Sequence, residues 1–557
     1  MMSDHILPII LRPNRWLDDQ EFRELTRISD YIGYEKRSGP VFRLNVRKAL
    51  LNGYSFDDLV NLFDELGINI SPEELDSIRE EYGKFSISIT WNSLRGRIVL
   101  DIPWETYRLI KDRLRDLNPR FRAKNETSIK YEILPWRLNE LVVLARAYSI
   151  PLYDHSGILK PKKLPQTINL KDVELRPYQS EALSKWIENK RQGIVVLPTG
   201  SGKTLIGIAA ITKSQRRTLI ITYTKEQMFQ WKEQIFRYTD AKPGLVGLYY
   251  SEEKRISPIT ITTYQSGYRN INVLSPYFDL LIIDEVHHLP AEKFKYIAIH
   301  SLAPYRMGLS ATAIREDGKH EELFPLLGGI IYHRSAAELS SQGYLARYRI
   351  VTIKVKLSPK EKKEYNAYRE TYRRFAKGRR FQEVLNLALK GVPDARKALS
   401  FHKKMHDIIA FSQSKLRKVV EIVDREIKKK NKIIIFTQYV KQAEELGKML
   451  EKYGALVLTG ETPTDKRKKI LEYFRSSPSG ILIVTTVGDE GLDIPDANIG
   501  IIVSGTGSKR QFIQRLGRIL RPWKGKEAIL YEIIVSGTHE EYQAKRRKKT
   551  VLDDFGL

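Results

Sequence analysis

Cysteine is absent from the chain. That excludes structural disulfides, disulfide-linked partners, thiol nucleophiles, cysteine-ligated zinc and iron–sulfur clusters held by this polypeptide. Long apolar runs are missing as well: none approaches the roughly 20 residues that span a bilayer, and the N-terminal MMSDHILPIILRPNRW has too short an apolar core for a secretory signal. The expectation is an intracellular, soluble protein with no membrane partner. Acidic residues are in deficit, 67 Asp plus Glu against 94 Lys plus Arg, for a net charge of +27. Such an excess favours a polyanion through long-range attraction and counterion release. A merely basic surface has the same composition, so motifs have to decide.

Present instead is a chain of 557 residues, 42% hydrophobic and 29% charged, long enough for three or four domains of ordinary size. Residues 1–80 carry amphipathic helical patterns such as SFDDLVNLFDELGI and form an accessory region to which the residues assign no role. Residues 81–165 mix helical patterns with alternating stretches, FSISITW and GRIVLDI, and read as an α+β domain. A Lys- and Pro-rich segment, SGILKPKKLPQTINLKD, reads as a linker. Between 166 and 345 short apolar runs (GIVVLPTG, TLIITYT, PITITTY, LLIIDEV, RMGLSAT) alternate with helical segments, the signature of a parallel sheet covered on both faces. A second such series (KIIIFTQY, ALVLTG, GILIVTT, ANIGIIVSG, AILYEII) occupies 431–557. Residues 346–430 between them read as a helical insertion rich in Lys and Arg.

LPTGSGKT, Leu197 to Thr204, follows an apolar strand and opens a helical segment. Gly200 and Gly202 let backbone N–H groups approach phosphate oxygens, with Ser201 between them; Lys203 reaches the terminal phosphates and the Thr204 hydroxyl can ligand magnesium. The usual first glycine of such a loop is Leu197 here. LLIIDEVHH ends a strand in two carboxylates, of which Asp284 can hold Mg2+ and Glu285 can orient or deprotonate the attacking water. His287 and His288, adjacent and without other ligands, do not make a zinc site. QRLGRILRP supplies Gln514, Arg515, Arg518 and Arg521; arginines so spaced share a helix face, reach another lobe's nucleotide and stabilise charge in phosphoryl transfer. ATP and Mg2+ are the cofactors this chemistry requires.

The ordered set RPYQ, LPTGSGKT, TYTKEQ, TTYQS, DEVHH, SAT, IIIFTQ, TTVGDEGLD and QRLGRILR resembles superfamily 2 helicases over residues 176 to about 536. The fold this resemblance implies is α/β, two RecA-like parallel-sheet lobes with a helical thumb insertion and an N-terminal α+β accessory region. It assigns Arg176 and Gln179 of RPYQ to the nucleotide, Gln179 to its adenine, and Gly491 and Asp493 to the second lobe's nucleotide contacts. Ser310 and Thr312 are assigned to coupling, and Thr222, Thr263 and Thr486 to the nucleic-acid track. DEVHHLPA, the triplet Arg315, Glu316 and Asp317 after SAT, the insertion before IIIFTQ and SGTGSKRQFIQRLGRILRP further resemble the archaeal type of the XPB family. There the triplet is associated with strand separation, the insertion is a thumb that grips DNA, and a damage-recognition domain precedes the motor. The family implies 3′ to 5′ movement on duplex, forked or bubble DNA in excision repair or transcription. It also implies a protein partner such as a repair nuclease, and a cytoplasmic setting, or a nuclear one in a eukaryote.

Three other readings share parts of this pattern. The ATP motifs do not separate DNA from RNA helicases, a restriction-system motor subunit has the same two lobes, and a basic DNA-binding scaffold could use the ATP site for assembly alone.

Overall fold

The computed structural model describes residues 8–36, 39–289, 292–311, 319–345, 348–485, 497–504 and 528–544. Four sheets organise them. The first is antiparallel and small: β1 (Ile10–Leu11), β2 (Ser29–Glu35) and β3 (Gly39–Leu44), in the order β1-β3-β2. Helices Asp19–Ile28, Phe56–Glu65 and Pro72–Gly83 pack with it, and each begins in a capping box, on Asp18, Ser55 and Ser71. These reciprocal caps satisfy backbone donors that the helix itself cannot. Leu25, Phe42, Leu59, Phe63 and Ile78 form the core.

Phe85 closes that core and Ile87 opens the next. β4 (Ile87–Asn92), β5 (Arg97–Pro103), β6 (Arg120–Lys124), β7 (Ser128–Ile133) and β8 (Leu152–Asp154) form a sheet of order β6-β7-β5-β4-β8. The strict alternation of β5, with Ile98, Leu100 and Ile102 inward, faces helices Trp104–Leu114 and Leu138–Ala147. The Lys- and Pro-rich segment that follows is not a free linker. It pairs at Lys163 with Arg216 and at Leu170 with Thr239, and Leu164 and Ile168 are buried in the next core, because its five aliphatic side chains outweigh its breaker residues.

Seven parallel strands build the third sheet: β9 (Gln192–Val196), β10 (Thr218–Thr222), β11 (Val246–Tyr249), β12 (Ile259–Thr263), β13 (Leu280–Ile283), β14 (Tyr305–Ser310) and β15 (Ile330–His333). Their order is β11-β12-β10-β13-β14-β9-β15. The chain leaves β9 toward β10 and its neighbour β14 toward β15, in opposite directions across the sheet, and helices such as Lys203–Ser214 and Lys225–Tyr238 cover it. The crevice at such a switch point, at the carboxyl ends of the strands, is where open α/β sheets hold ligands.

The fourth sheet is also parallel: β16 (Tyr348–Val355), β17 (Lys432–Thr437), β18 (Leu456–Leu458), β19 (Gly480–Thr485), β20 (Ile499–Ile502) and β21 (Ala528–Val535), ordered β16-β21-β20-β17-β19-β18. Its first strand corrects the expectation that 346–430 is wholly helical. YRIVTIKV pairs with β21 at eight successive positions, as a segment rich in β-branched residues should. The helical insertion itself comprises Pro359–Ala376, Phe381–Leu389 and Pro393–Ala410, with a small core of Ala376, Val384, Ala388, Ala395 and Ala398. Gln413–Ile427 belongs to the sheet, on which it buries Leu416, Val419, Ile422 and Val423.

Candidate nucleotide site at the strand ends of the first parallel sheet

The loop 197–202 turns from β9 into the helix Lys203–Ser214 through two glycines in the left-handed region, Gly200 at φ +85° and Gly202 at φ +78°. A side chain at Gly202 would also sit 2.5 Å from Gln179 Nε2. Glycine is thus required twice over. The RPYQ segment tethers this loop: Gln179 Nε2 donates to Ser201 O at 3.0 Å, Tyr178 Oη donates to the same oxygen at 2.6 Å, and Gln179 Oε1 accepts from Arg176 N at 2.9 Å. Gln179 is 3% exposed. Both ends of its amide are committed to protein, so adenine recognition by Gln179 requires it to release Ser201. The Arg176 guanidinium reaches Tyr344 O at 3.2 Å.

Lys203 Nζ donates to the strand-end carbonyls of Leu197, at 3.0 Å, and Pro198, at 3.2 Å. Burial lowers its pKa, opposed by the charges of Glu285 and Asp284. Ser201 is fully buried and caps Pro198 O at 2.7 Å, whereas Thr199 Oγ1 is buried without a hydrogen-bond partner among the described residues. An ammonium parked on backbone carbonyls beside an orphaned hydroxyl, at a helix N-terminus, suits an oxyanion ligand.

The second half of the site comes from β13, whose four residues are fully buried. Asp284 Oδ2 accepts from the indole of Trp231 at 2.8 Å and Oδ1 accepts from Glu285 N at 2.9 Å. Burial, and then the neighbouring Glu285 charge, push the Asp284 carboxyl up to about 6 against the opposing pull of Trp231 and Lys203. Glu285 sits at φ +49°, a strained value for a non-glycine residue. Tyr264 Oη, 3.2 Å from both Asp284 O and Glu285 O, braces that turn. Glu285 Oε2 lies 3.3 Å from His287 Nδ1, outside hydrogen-bond geometry. His287 Nδ1 is instead 3.0 Å from Ser310 Oγ at the end of β14. His288 points elsewhere, stacking on Tyr223 at 3.7 Å between centroids and 7° between planes. A buried hydroxyl, two carboxylates and an ammonium fit a nucleotide's phosphates with a divalent cation. The Thr204 side chain is half-buried at the start of the helix.

Two of the three threonines expected along a nucleic-acid track are placed as caps. Thr222 is fully buried, and its hydroxyl lies 3.2 and 3.3 Å from Thr224 O and Thr262 O; it offers no surface to a polymer, because the strand end it closes is covered. Thr263, 8% exposed, caps the helix Tyr264–Leu274 through Ser266 N. Thr312, Arg315, Glu316, Asp317, Thr486, Gly491, Asp493, Gln514, Arg515, Arg518 and Arg521 lie outside the described residues.

Trp231 lies outside the motifs, and Tyr223 and Tyr264, though inside TYTKEQ and TTYQS, carry no role that the motifs assign. One signal was available for Trp231. Gly207 interrupts an otherwise favourable helix, where glycine is disfavoured by about 1 kcal/mol, and a Cβ there would meet the Trp231 ring at 2.6 Å.

Comparison with known proteins bears on this site and on what surrounds it. Residues 172–315 match the family described as type III restriction enzyme, res subunit, and residues 396–556 match the ERCC3/RAD25/XPB C-terminal helicase family. The DNA 3'-5' translocase XPB2 of Sulfurisphaera tokodaii is 40% identical over 395 residues, 69% of this chain and 87% of that protein. The DNA 3'-5' helicase XPB of Mycobacterium tuberculosis is 32% identical over 418 residues, 73% of this chain and 69% of its own length. The Schizosaccharomyces pombe transcription and DNA repair factor IIH helicase/translocase subunit XPB is 28% identical over 410 residues, and the match spans about half of that protein, 47%. The Hef helicase domain of Pyrococcus furiosus overlays 67% of the chain with a TM-score of 0.47 at 21% identity.

Proposed function

Because the chain belongs to the XPB family of DNA helicases and translocases, we propose that the cleft beside Lys203 and Asp284 drives an ATP-dependent motor moving 3′ to 5′ on DNA. The observation that carries this reading is the convergence, in one buried crevice, of the Lys203 ammonium with the Asp284 and Glu285 carboxylates.

Lys203 and the backbone N–H groups of residues 200–204 hold the phosphates. Thr204 and Asp284 would hold Mg2+, which neutralises charge on the transferred phosphoryl group. Glu285, fixed by the Tyr264 brace, orients the attacking water and accepts its proton. Gln514, Arg518 and Arg521 complete the site from the second lobe, with Gly491 and Asp493, once the lobes close. His287 and Ser310 connect the water-activating turn to the SAT segment, so that Ser310 and Thr312 couple nucleotide state to DNA. Arg315, Glu316 and Asp317 act at the strand junction, Thr486 and the helical insertion 359–410 act along the DNA, and residues 81–165 supply damage recognition. The setting is excision repair or transcription, in an archaeal-type cytoplasm or a eukaryotic nucleus, with a nuclease or a transcription/repair factor as partner.

Lys203→Ala should abolish ATP turnover and leave the thermal unfolding midpoint near that of the parent, because it removes a loop cation and no packed side chain. Glu285→Gln should bind ATP and not turn it over. ATP hydrolysis measured without polymer and with single-stranded DNA, duplex, fork and RNA tests the whole reading. Stimulation by RNA alone, or by no polymer, would replace the DNA motor with an RNA helicase or with an ATP-regulated scaffold.

A further inference from the structure

We propose that a cleft on the N-terminal unit, between Trp16 and Tyr34, binds single-stranded DNA by stacking its bases and pairing its phosphates. Nothing in the motor's ATP chemistry requires this unit, and its exposed surface is unusual. Trp16 is 80% exposed and Tyr34 55%. Isolated exposed apolar residues are ordinary, but large aromatic ones gathered in a patch mark interaction sites. Here the ring centroids of Trp16 and Tyr34 are 6.3 Å apart and their planes are tilted by 42°. They line a cleft of about 390 Å3 together with Arg12, Arg15, Lys36 and Pro40.

A backbone irregularity builds the platform. β2 pairs with β3 at Tyr31 opposite Phe42, Gly33 opposite Val41 and Tyr34 opposite Pro40, with a register shift at Ile32. In a regular strand, residues three apart lie on opposite faces. The extra residue carries Tyr34 to the same face as Tyr31, which is half exposed and supported edge-on by Phe42. The rings thus form a row along the edge of a small sheet.

Charge on the unit is segregated. Residues 8–83 contain ten Lys and Arg against fifteen Asp and Glu, the reverse of the whole chain. Nine of those ten cations precede residue 49, and nine of the fifteen acids follow residue 56. The cleft draws only on the first group. Arg15 is clamped by two hydrogen bonds to Glu21, at 2.6 and 3.1 Å, and frames Trp16 through its carbonyl at 3.3 Å. Arg12 makes a single long ion pair with Glu35, 3.5 Å with both partners half exposed. Such a pair contributes little and yields readily to a phosphate. Lys36 has no ion-pair partner among the described residues. Aromatic faces beside cations are how proteins hold single strands without reading sequence. A DNA motor generates single strands, and the proposal rests on the DNA reading for that choice of polymer alone.

The test uses the full chain and a thymidine oligomer of about 12 nucleotides, within the usual footprint of such platforms, carrying photoactivatable iodouracil. Without ATP, cross-links should map by mass spectrometry to Trp16 and Tyr34. The Trp16→Ala/Tyr34→Ala variant should lose those adducts and bind the oligomer about tenfold more weakly, Trp16→Phe should keep most of the affinity, and duplex-stimulated ATP hydrolysis should stay at the parent rate. Lys203→Ala should cross-link like the parent, which keeps this result separate from any failure of the ATP site. Adducts confined to residues beyond 44, or parent affinity in the double variant, would overturn the proposal. So would competition for the cleft by polyglutamate and not by oligothymidine, which would assign it to an acidic protein partner.

Discussion

Trp231 shows how much of a catalytic site a residue outside the motifs can set. Its indole hydrogen bond favours the ionised form of Asp284, in a place where burial has already pushed that carboxyl up to about 6. A raised carboxyl pKa means the proton is bound more tightly in the folded protein. The nucleotide-free fold therefore bears a penalty above about pH 6 that vanishes below the ordinary value of 3.8. Below about pH 6 a proton also competes with Mg2+ for the same oxygen. Trp231→Phe removes the hydrogen bond and keeps the ring that fills the gap over Gly207, so the Asp284 pKa should rise further. The acid limb of kcat/KM for ATP, followed from pH 5 to 8, should move to higher pH in this variant. An unmoved limb would show that the indole only packs. Lys203, Asp284 and Glu285 were legible from the sequence because loop and strand-end chemistry is local. Trp231 lies 53 positions from its partner, and no local pattern encodes that contact. Thr222 illustrates the complementary case: its motif position is local, but the burial of its strand end is a tertiary fact.

Elements were read well where a run of apolar residues stood between breakers and poorly where a strand adjoined a helical stretch. β13 and β17 are continuous apolar strands bounded by turns and could be placed at once. β11 and β15, four residues each, are too short to declare a period. β16 was absorbed into the helical insertion because the charged helix after it dominates any window wide enough to judge. Where that insertion meets the second lobe's sheet, His402 and His406 on helix Pro393–Ala410 form a row with His539, centroids 4.5 and 4.1 Å apart. Phe381 closes one end at 4.6 Å. Burial pushes all three imidazoles down to about 4. His406 bears on His402, His539 on His406, and both His402 and Lys415 on His539. A histidine whose folded pKa is depressed contributes stability that is complete above its unfolded value near 6.5 and is lost as pH falls toward 4. The full chain should therefore lose thermal stability between pH 6.5 and 4, with amide exchange accelerating first in Pro393–Ala410. His406→Phe, which keeps the ring and removes the charge, should flatten that dependence. If the variant follows the parent's curve, the acid sensitivity arises elsewhere.

At the scale of the whole molecule, the proposed active site draws on both parallel sheets, since the arginines of QRLGRILR belong to the second-lobe segment. Arg518→Ala and Arg521→Ala should accordingly spare nucleotide affinity and lower kcat, because cations that arrive with closure act on the transition state more than on the bound ground state. The charge of +27 makes a separate demand. Residues 8–83 are net acidic, so the excess lies on the rest of the chain, where the motor meets its polymer. Each phosphate neutralised on duplex DNA contributes about −0.9 to the slope of log affinity against log salt. Some five contacts would give a slope near −4.5, so that a fourfold rise in salt weakens binding by roughly 500-fold. Phosphate contacts position a protein without reading bases, so two duplexes of unrelated sequence should give the same slope and nearly the same affinity. Lys203→Ala should share that slope, because its cation faces ATP. Fluorescence anisotropy at two salt concentrations decides the matter. A flat response would place the basic excess away from the DNA track, and a slope that differed between the two sequences would mean that base edges are read as well.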